Sequence, residues 1–148
     1  MNLLTEEITD KDFIGKLIPQ KAPFVMVDRL LHFEDKKVIA GLTISTDNIF
    51  SKNNKFTEPG LIEHMAQTVA LYTGYQFFLK NEEPPTGYIG AIKKTEIFNL
   101  PAVGKSLITT VNILHEMMGV TMITAQTKCD GVIIAESEMK TVLAPKAK

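Results

Sequence analysis

Between Pro59 and Leu79 the chain carries a single formal charge, Glu63, while Leu61, Ile62, Met65, Ala66, Val69, Ala70, Phe77 and Phe78 recur at helical spacing. A helix of about 20 residues this poor in charge is either buried in a protein core or crosses a membrane. Glu63, His64, Gln67, Thr68 and Gln76 argue against a span. The expectation is a core helix over about 59–79. Pro59 suits its first position, where a missing N–H costs nothing, and Lys80-Asn81-Glu82-Glu83-Pro84-Pro85 ends it.

The other segments must then wrap this helix. Thr9 to Leu17 mixes Asp10, Lys11 and Asp12 with Phe13, Ile14 and Leu17, the pattern of a short amphipathic helix stopped by Pro19 and Pro23. Phe24 to Phe33 and Val38 to Ser45 are branched and apolar around the turn Glu34-Asp35-Lys36-Lys37, which predicts a hairpin. Asp47 to Glu58 is polar and irregular. Thr86 to Phe98, Lys105 to Glu116, Val120 to Cys129 and Val132 to Leu143 are strand-like, and Asp130-Gly131 is the clearest hairpin turn in the chain. About six strands, nearly all joined by hairpins, around one long helix is an α+β architecture in which a single sheet curves about the helix.

The length of 148 residues predicts a single domain spanning 1–148, long enough to bury a core. Sixteen basic against seventeen acidic residues argue against a surface for nucleic acid. The one cysteine, Cys129, excludes an internal disulfide and a cysteine-based zinc cluster. The acidic opening Met1-Asn2-Leu3-Leu4-Thr5-Glu6-Glu7 does not read as a secretory signal, so a cytoplasmic protein is expected. No metal and no redox cofactor are expected.

An unpaired carboxylate in an apolar site is costly, so Glu63 needs a reason. It reads as a first-turn residue near the positive end of the helix dipole. There it either caps the helix and faces water, or serves a pocket as proton donor and acceptor. Gly60 either meets the needs of the turn or lets a ligand carbonyl approach free main-chain N–H groups, as in an oxyanion hole. His64 points about 100° from Glu63. It reads as a packing or interface residue, with catalysis as the alternative. His32, His115 and Cys129 read as structural.

Motifs in order then bring a family into view. Ile18-Pro19-Gln20-Lys21-Ala22-Pro23-Phe24-Val25-Met26-Val27-Asp28-Arg29 resembles the opening of the hotdog-fold 3-hydroxyacyl-[acyl-carrier-protein] dehydratases, roughly L-P-H-R-x-P-F-L-L-V-D-R. Pro59-Gly60-Leu61-Ile62-Glu63-His64-Met65-Ala66-Gln67 resembles their P-G-V-L and E-A-M-A-Q helix, Ile92 to Gly104 their I-x-x-x-R-F-x-x-P-V-x-P-G-D, and Asp130-Gly131 with Ala135-Glu136-Ser137 their last hairpin. The form around Glu63-His64 is most similar to the dehydratase-like branch of aryl-polyene and flexirubin-type pigment synthesis.

The resemblance implies a hotdog fold and pairing of two subunits. It also implies an acyl chain in a tunnel along their interface and an acyl carrier protein that delivers the thioester on its phosphopantetheine arm. In the family a histidine of an H-F-P-G segment takes the C2 proton, the helix carboxylate helps expel the C3 hydroxyl, and the helix-start glycine polarises the thioester carbonyl. Glu63 and Gly60 match the last two, and Glu63 with His64 are the expected catalytic residues. Pro59, Gly60 and Gln67 are expected to bind substrate, with Asn53 and Asn54, near which the histidine's slot falls. Tyr72, Tyr75, Phe77 and Tyr88 would bear on tunnel depth. Lys52, Lys55, Lys93 and Lys94 would form a basic rim for the carrier or merely a solvated surface.

The chain also departs from the pattern. Ile49 to Glu58 holds no histidine, Gln20 replaces the histidine of the opening motif, and Lys94-Thr95-Glu96-Ile97-Phe98 lacks the arginine. β-Elimination needs both a base and an acid. Three readings stay open: an active dehydratase, a hotdog thioesterase in which the carboxylate activates water, and a non-catalytic subunit paired with a histidine-bearing dehydratase.

Overall fold

The computed structural model describes residues 1–144, so the last four residues of the expected domain lie outside the described residues. The chain opens with helix α1, Lys11–Leu17, capped by the Asp10 carboxylate, which accepts from the N–H of Asp12 at 3.0 Å and of Phe13 at 3.3 Å. Ile14 and Leu17 are its buried face. The long helix α2 spans Glu58–Leu79, one residue earlier than its expected start.

Strands β1 (Arg29–Glu34), β2 (Lys37–Thr43), β5 (Gly87–Ile97), β6 (Ser106–Met117), β7 (Val120–Cys129) and β8 (Val132–Leu143) form one antiparallel sheet. Their order is β1-β2-β6-β7-β8-β5. The α+β architecture read from the sequence is present, with α2 lying against β2 and β5 to β8. The Asp130-Gly131 turn joins β7 to β8 with both residues left-handed, at φ 53° and 76°, the geometry of the tightest hairpins.

Two expectations need correction. The strand expected from Phe24 begins only at Arg29, because Phe24 O and both main-chain groups of Met26 bond to side chains of α2 instead of to a neighbouring strand. The segment expected to be irregular contains a small hairpin, β3 (Ser51–Lys52) with β4 (Lys55–Phe56), turning on Asn53 and Asn54 at φ 52° and 64°. Asparagine tolerates this left-handed pair better than most residues, which explains the choice. The hairpin is anchored from below, where Phe56 N–H donates to Pro101 O and Val103 N–H donates to Asn54 O.

Two apolar clusters fill the space between helix and sheet. Leu30, Phe33, Val38, Met65, Val69, Tyr72, Val111, Ile123 and Met139 belong to the larger one, and Met26, Leu42, Ile44, Phe56, Leu61, Leu107 and Ile134 to a second near the start of α2. Tyr72 and Tyr75, expected to bear on a tunnel, pack against Phe33, with ring centroids 5.4 and 4.8 Å away. Gly74 is where α2 meets the end of α1: a Cβ there would overlap the Leu17 carbonyl oxygen. No helix among the described residues is long and apolar enough to cross a membrane.

Candidate active site

The residue before helix α2 is Thr57, whose hydroxyl donates to Phe50 O at 2.7 Å rather than capping the helix. Leu61 N–H makes the first helical bond, to Thr57 O at 3.2 Å, so the N–H of Gly60 has no carbonyl one turn back within the helix. Gly60 is buried, and a Cβ on it would come within 2.5 Å of Cζ of Phe56 and 2.7 Å of Cβ of Phe50. Contact with those rings requires a glycine here. Pro59 is exposed beside it.

The acidic residue of the first turn is Glu58, not Glu63. Glu63 lies a turn further on, where the helix dipole has largely faded. What holds it is a side chain. Gln67 donates from Nε2 to Oε2 of Glu63 at 2.8 Å, one turn along the helix, and the carboxylate is half-buried.

His64 is fully buried. Its Nδ1 lies 2.6 Å from Met26 O, which can only accept, so Nδ1 carries the hydrogen and Nε2 is bare and without a partner. Burial pushes the imidazole down to about 4; the bond to Met26 opposes this and the Arg29 charge adds to it. The ring is neutral at pH 7. Of the other histidines, His32 lies on β1 with Nε2 3.3 Å from Glu34, and His115 is exposed on β6. Asn53 and Asn54 are exposed at the tip of the β3–β4 hairpin. Lys94 pairs with Glu96 at 3.0 Å and Lys93 with Glu138 at 3.6 Å, while Lys52 and Lys55 are exposed on the hairpin. Cys129 is partly buried beside the second cluster. No group of three potential metal ligands occurs among the described residues.

The sequence draws attention to Glu63 but understates Gln67, which is fully buried and contacts three groups: Glu63, Phe24 O and Met26 N. The signal was present, because an amide on an apolar helix needs partners for the same reason a carboxylate does. A cleft of about 220 Å³ runs between the second half of α2 and the β6–β7 turn, lined by Thr73, Phe77, Met117, Met118 and Leu143. Glu63 is not among its walls.

The sequence matches the ApeP-like family, described as ApeP dehydratase, over residues 13–148. The chain belongs to this family. It is 30% identical over 138 residues to the 3-hydroxyacyl-[acyl-carrier-protein] dehydratase FabZ of Vibrio atlanticus, covering 86% of this chain and 88% of the relative. Against FabZ of Nitrosospira multiformis it is 30% identical over 139 residues, covering 90% and 95%. In structure it is similar to a chain of the dehydratase heterocomplex ApeI:P from Xenorhabdus doucetiae, with TM-score 0.84 and 19% identity over 90% of this chain and 91% of that one. A hypothetical thioesterase with coenzyme A from Streptococcus pneumoniae shares the fold at TM-score 0.61 and 8% identity, over 80% and 87%. The fold is the hotdog fold. What this ApeP-like chain brings together at the start of α2 is a carboxylate, the amide that holds it and the main-chain N–H of Gly60, with its nearest imidazole neutral and sealed.

Proposed function

We propose that this chain supplies the carboxylate half of a 3-hydroxyacyl-[acyl-carrier-protein] dehydratase site. Glu63 is its proton donor and acceptor, and the Gly60 N–H receives the thioester carbonyl. The observation that carries the reading is the setting of Glu63: the sole carboxylate on the buried stretch of α2, half-exposed and held by a buried amide. In the reaction the C2–H bond breaks and its proton goes to a base, while its electron pair forms the double bond. The C3–O bond breaks, and the departing hydroxyl takes a proton from Glu63 and leaves as water.

The base comes from a second hotdog subunit. His64 is turned to Met26, and the hairpin tip carries amides, which are not useful bases. Two features favour such pairing. Among the described residues no strand lies beside the outer edge of β5, and Ile62, Glu63, Ala70, Thr73 and Phe77 leave one side of α2 only half-covered. Covering that side would enclose Glu63 in a slot fit for an acyl chain. We place the protein in the cytoplasm as one hotdog domain, in aryl-polyene or fatty-acid-like synthesis, receiving its substrate from an acyl carrier protein.

The test is turnover of a 3-hydroxyacyl-carrier-protein, with the chain alone and mixed with a histidine-bearing hotdog dehydratase disabled at its own helix carboxylate. Enoyl product from the mixture, lowered at least about a hundredfold by Glu63→Gln, supports the reading. No enoyl product from the mixture, free acid instead of enoyl thioester, or no effect of Glu63→Gln overturns it.

A further inference from the structure

Every polar atom of the Gln67 amide is engaged within the chain. Met26 N–H donates to Oε1 at 2.6 Å, and Nε2 donates to Phe24 O and to Oε2 of Glu63, each at 2.8 Å. The neighbours settle which end is which. A main-chain N–H only donates and a carbonyl only accepts, so the amide cannot turn over without setting N–H against N–H and oxygen against oxygen. One of its two hydrogens is therefore permanently directed at Glu63. His64 grips the same segment through Met26 O. Since β1 starts only at Arg29, these helix side chains do for residues 24–26 what a neighbouring strand would otherwise do.

From this geometry we infer that Gln67 is a positioning residue that commits Glu63 to work through Oε1. The inference rests on the reading of Glu63 as the acid. A proton on Oε2 would point at an N–H that cannot rotate away, so the acid form carries its proton on Oε1. When that proton passes to the departing hydroxyl, the carboxylate left behind already has a donor on Oε2, in place before the charge forms. The same amide ties the carboxylate to the main chain of Phe24, a residue 56% exposed, so disturbance of this loop reaches Glu63 through a single side chain.

Two measurements test this. In the mixed-subunit assay, Gln67→Met should lower kcat about tenfold or more, the scale of one charge-assisted hydrogen bond, with KM changed less than about twofold. Glu63→Gln combined with Gln67→Met should be no slower than Glu63→Gln alone. Unchanged kcat, a loss confined to KM, or multiplying losses would overturn the inference.

The second measurement needs neither turnover nor the Gln67 variant, which removes partners from the buried Met26 N–H and the part-buried Phe24 O and can weaken the fold. In the nitrogen-15 spectrum of the intact protein, Glu63→Ala should shift one of the two Gln67 side-chain hydrogens and leave its mate, bound to Phe24 O, in place. If neither hydrogen moves, the Glu63–Gln67 bond is absent in solution and the inference fails, whatever the assay shows. If one moves but no mixture gives enoyl product, the hydrogen bond stands and the dehydratase reading is what has failed.

Discussion

Lowering the pH from 7 to 4 forces a choice on His64. In the folded chain its imidazole is fully buried and its pKa is pushed down from 6.5 to about 4, chiefly by loss of solvation. In the unfolded chain it titrates near the ordinary value. Between the two, the unfolded state binds a proton that the folded state refuses, so stability must fall with falling pH. The contribution is complete above about pH 7, is reduced by roughly 1 kcal/mol at pH 5.5, and is reduced by roughly 3 kcal/mol at pH 4. That is a large share of the 5–15 kcal/mol typical of a domain. Urea denaturation of the wild type and of His64→Gln, followed by circular dichroism from pH 7.5 to 4, isolates the effect from the carboxylates that both proteins share. The difference in unfolding free energy should change by roughly 3 kcal/mol across this range, favouring the variant as the pH falls. A difference that stays flat would show that the ring is solvated or charged in the folded state. The sealed, neutral setting of His64 would then be wrong.

Two further perturbations probe the frame that carries the site. Gly74→Ala drives a Cβ into the carbonyl of Leu17, a main-chain atom that cannot step aside, so α1 must lift from α2. The expected cost is about 3 kcal/mol or more by denaturant titration, and a cost below about 1 kcal/mol would mean that the two helices do not meet this closely. Tyr72→Phe removes the hydroxyl that accepts from Lys36 N–H at 3.1 Å and from Gln76 at 3.2 Å while leaving the ring on Phe33. A loss of about 1 kcal/mol in thermal or urea unfolding is expected, with no change in far-ultraviolet dichroism.

The same chain shows where local patterns suffice and where they fail. The long helix and the Asp130-Gly131 hairpin were legible because each is written within neighbouring residues, as an apolar run or a left-handed turn pair. Phe24 to Met26 reads as strand for the same local reason, yet Phe24 O and both main-chain groups of Met26 find their partners in Gln67 and His64 on a distant helix. The Ser51–Phe56 hairpin escaped because its strands are two residues each, too short to show alternation. Glu63 stands out as the lone charge between Pro59 and Leu79, but it is not in the first turn, since Glu58 starts the helix.

Taken alone, the order of residues determined that a charge-poor helix would be wrapped by an antiparallel sheet, and that one carboxylate on it would demand an explanation. Those conclusions follow from the burial of apolar surface, which short stretches of chain already specify. Which groups answer that demand was decided only by the tertiary structure. Gln67 and Met26 are 41 residues apart, and the amide that holds Glu63 has its own direction set by main-chain atoms on that remote segment. A hydrogen bond depends on angle and on tenths of an ångström, and no periodicity along the chain encodes either until packing brings the two segments together.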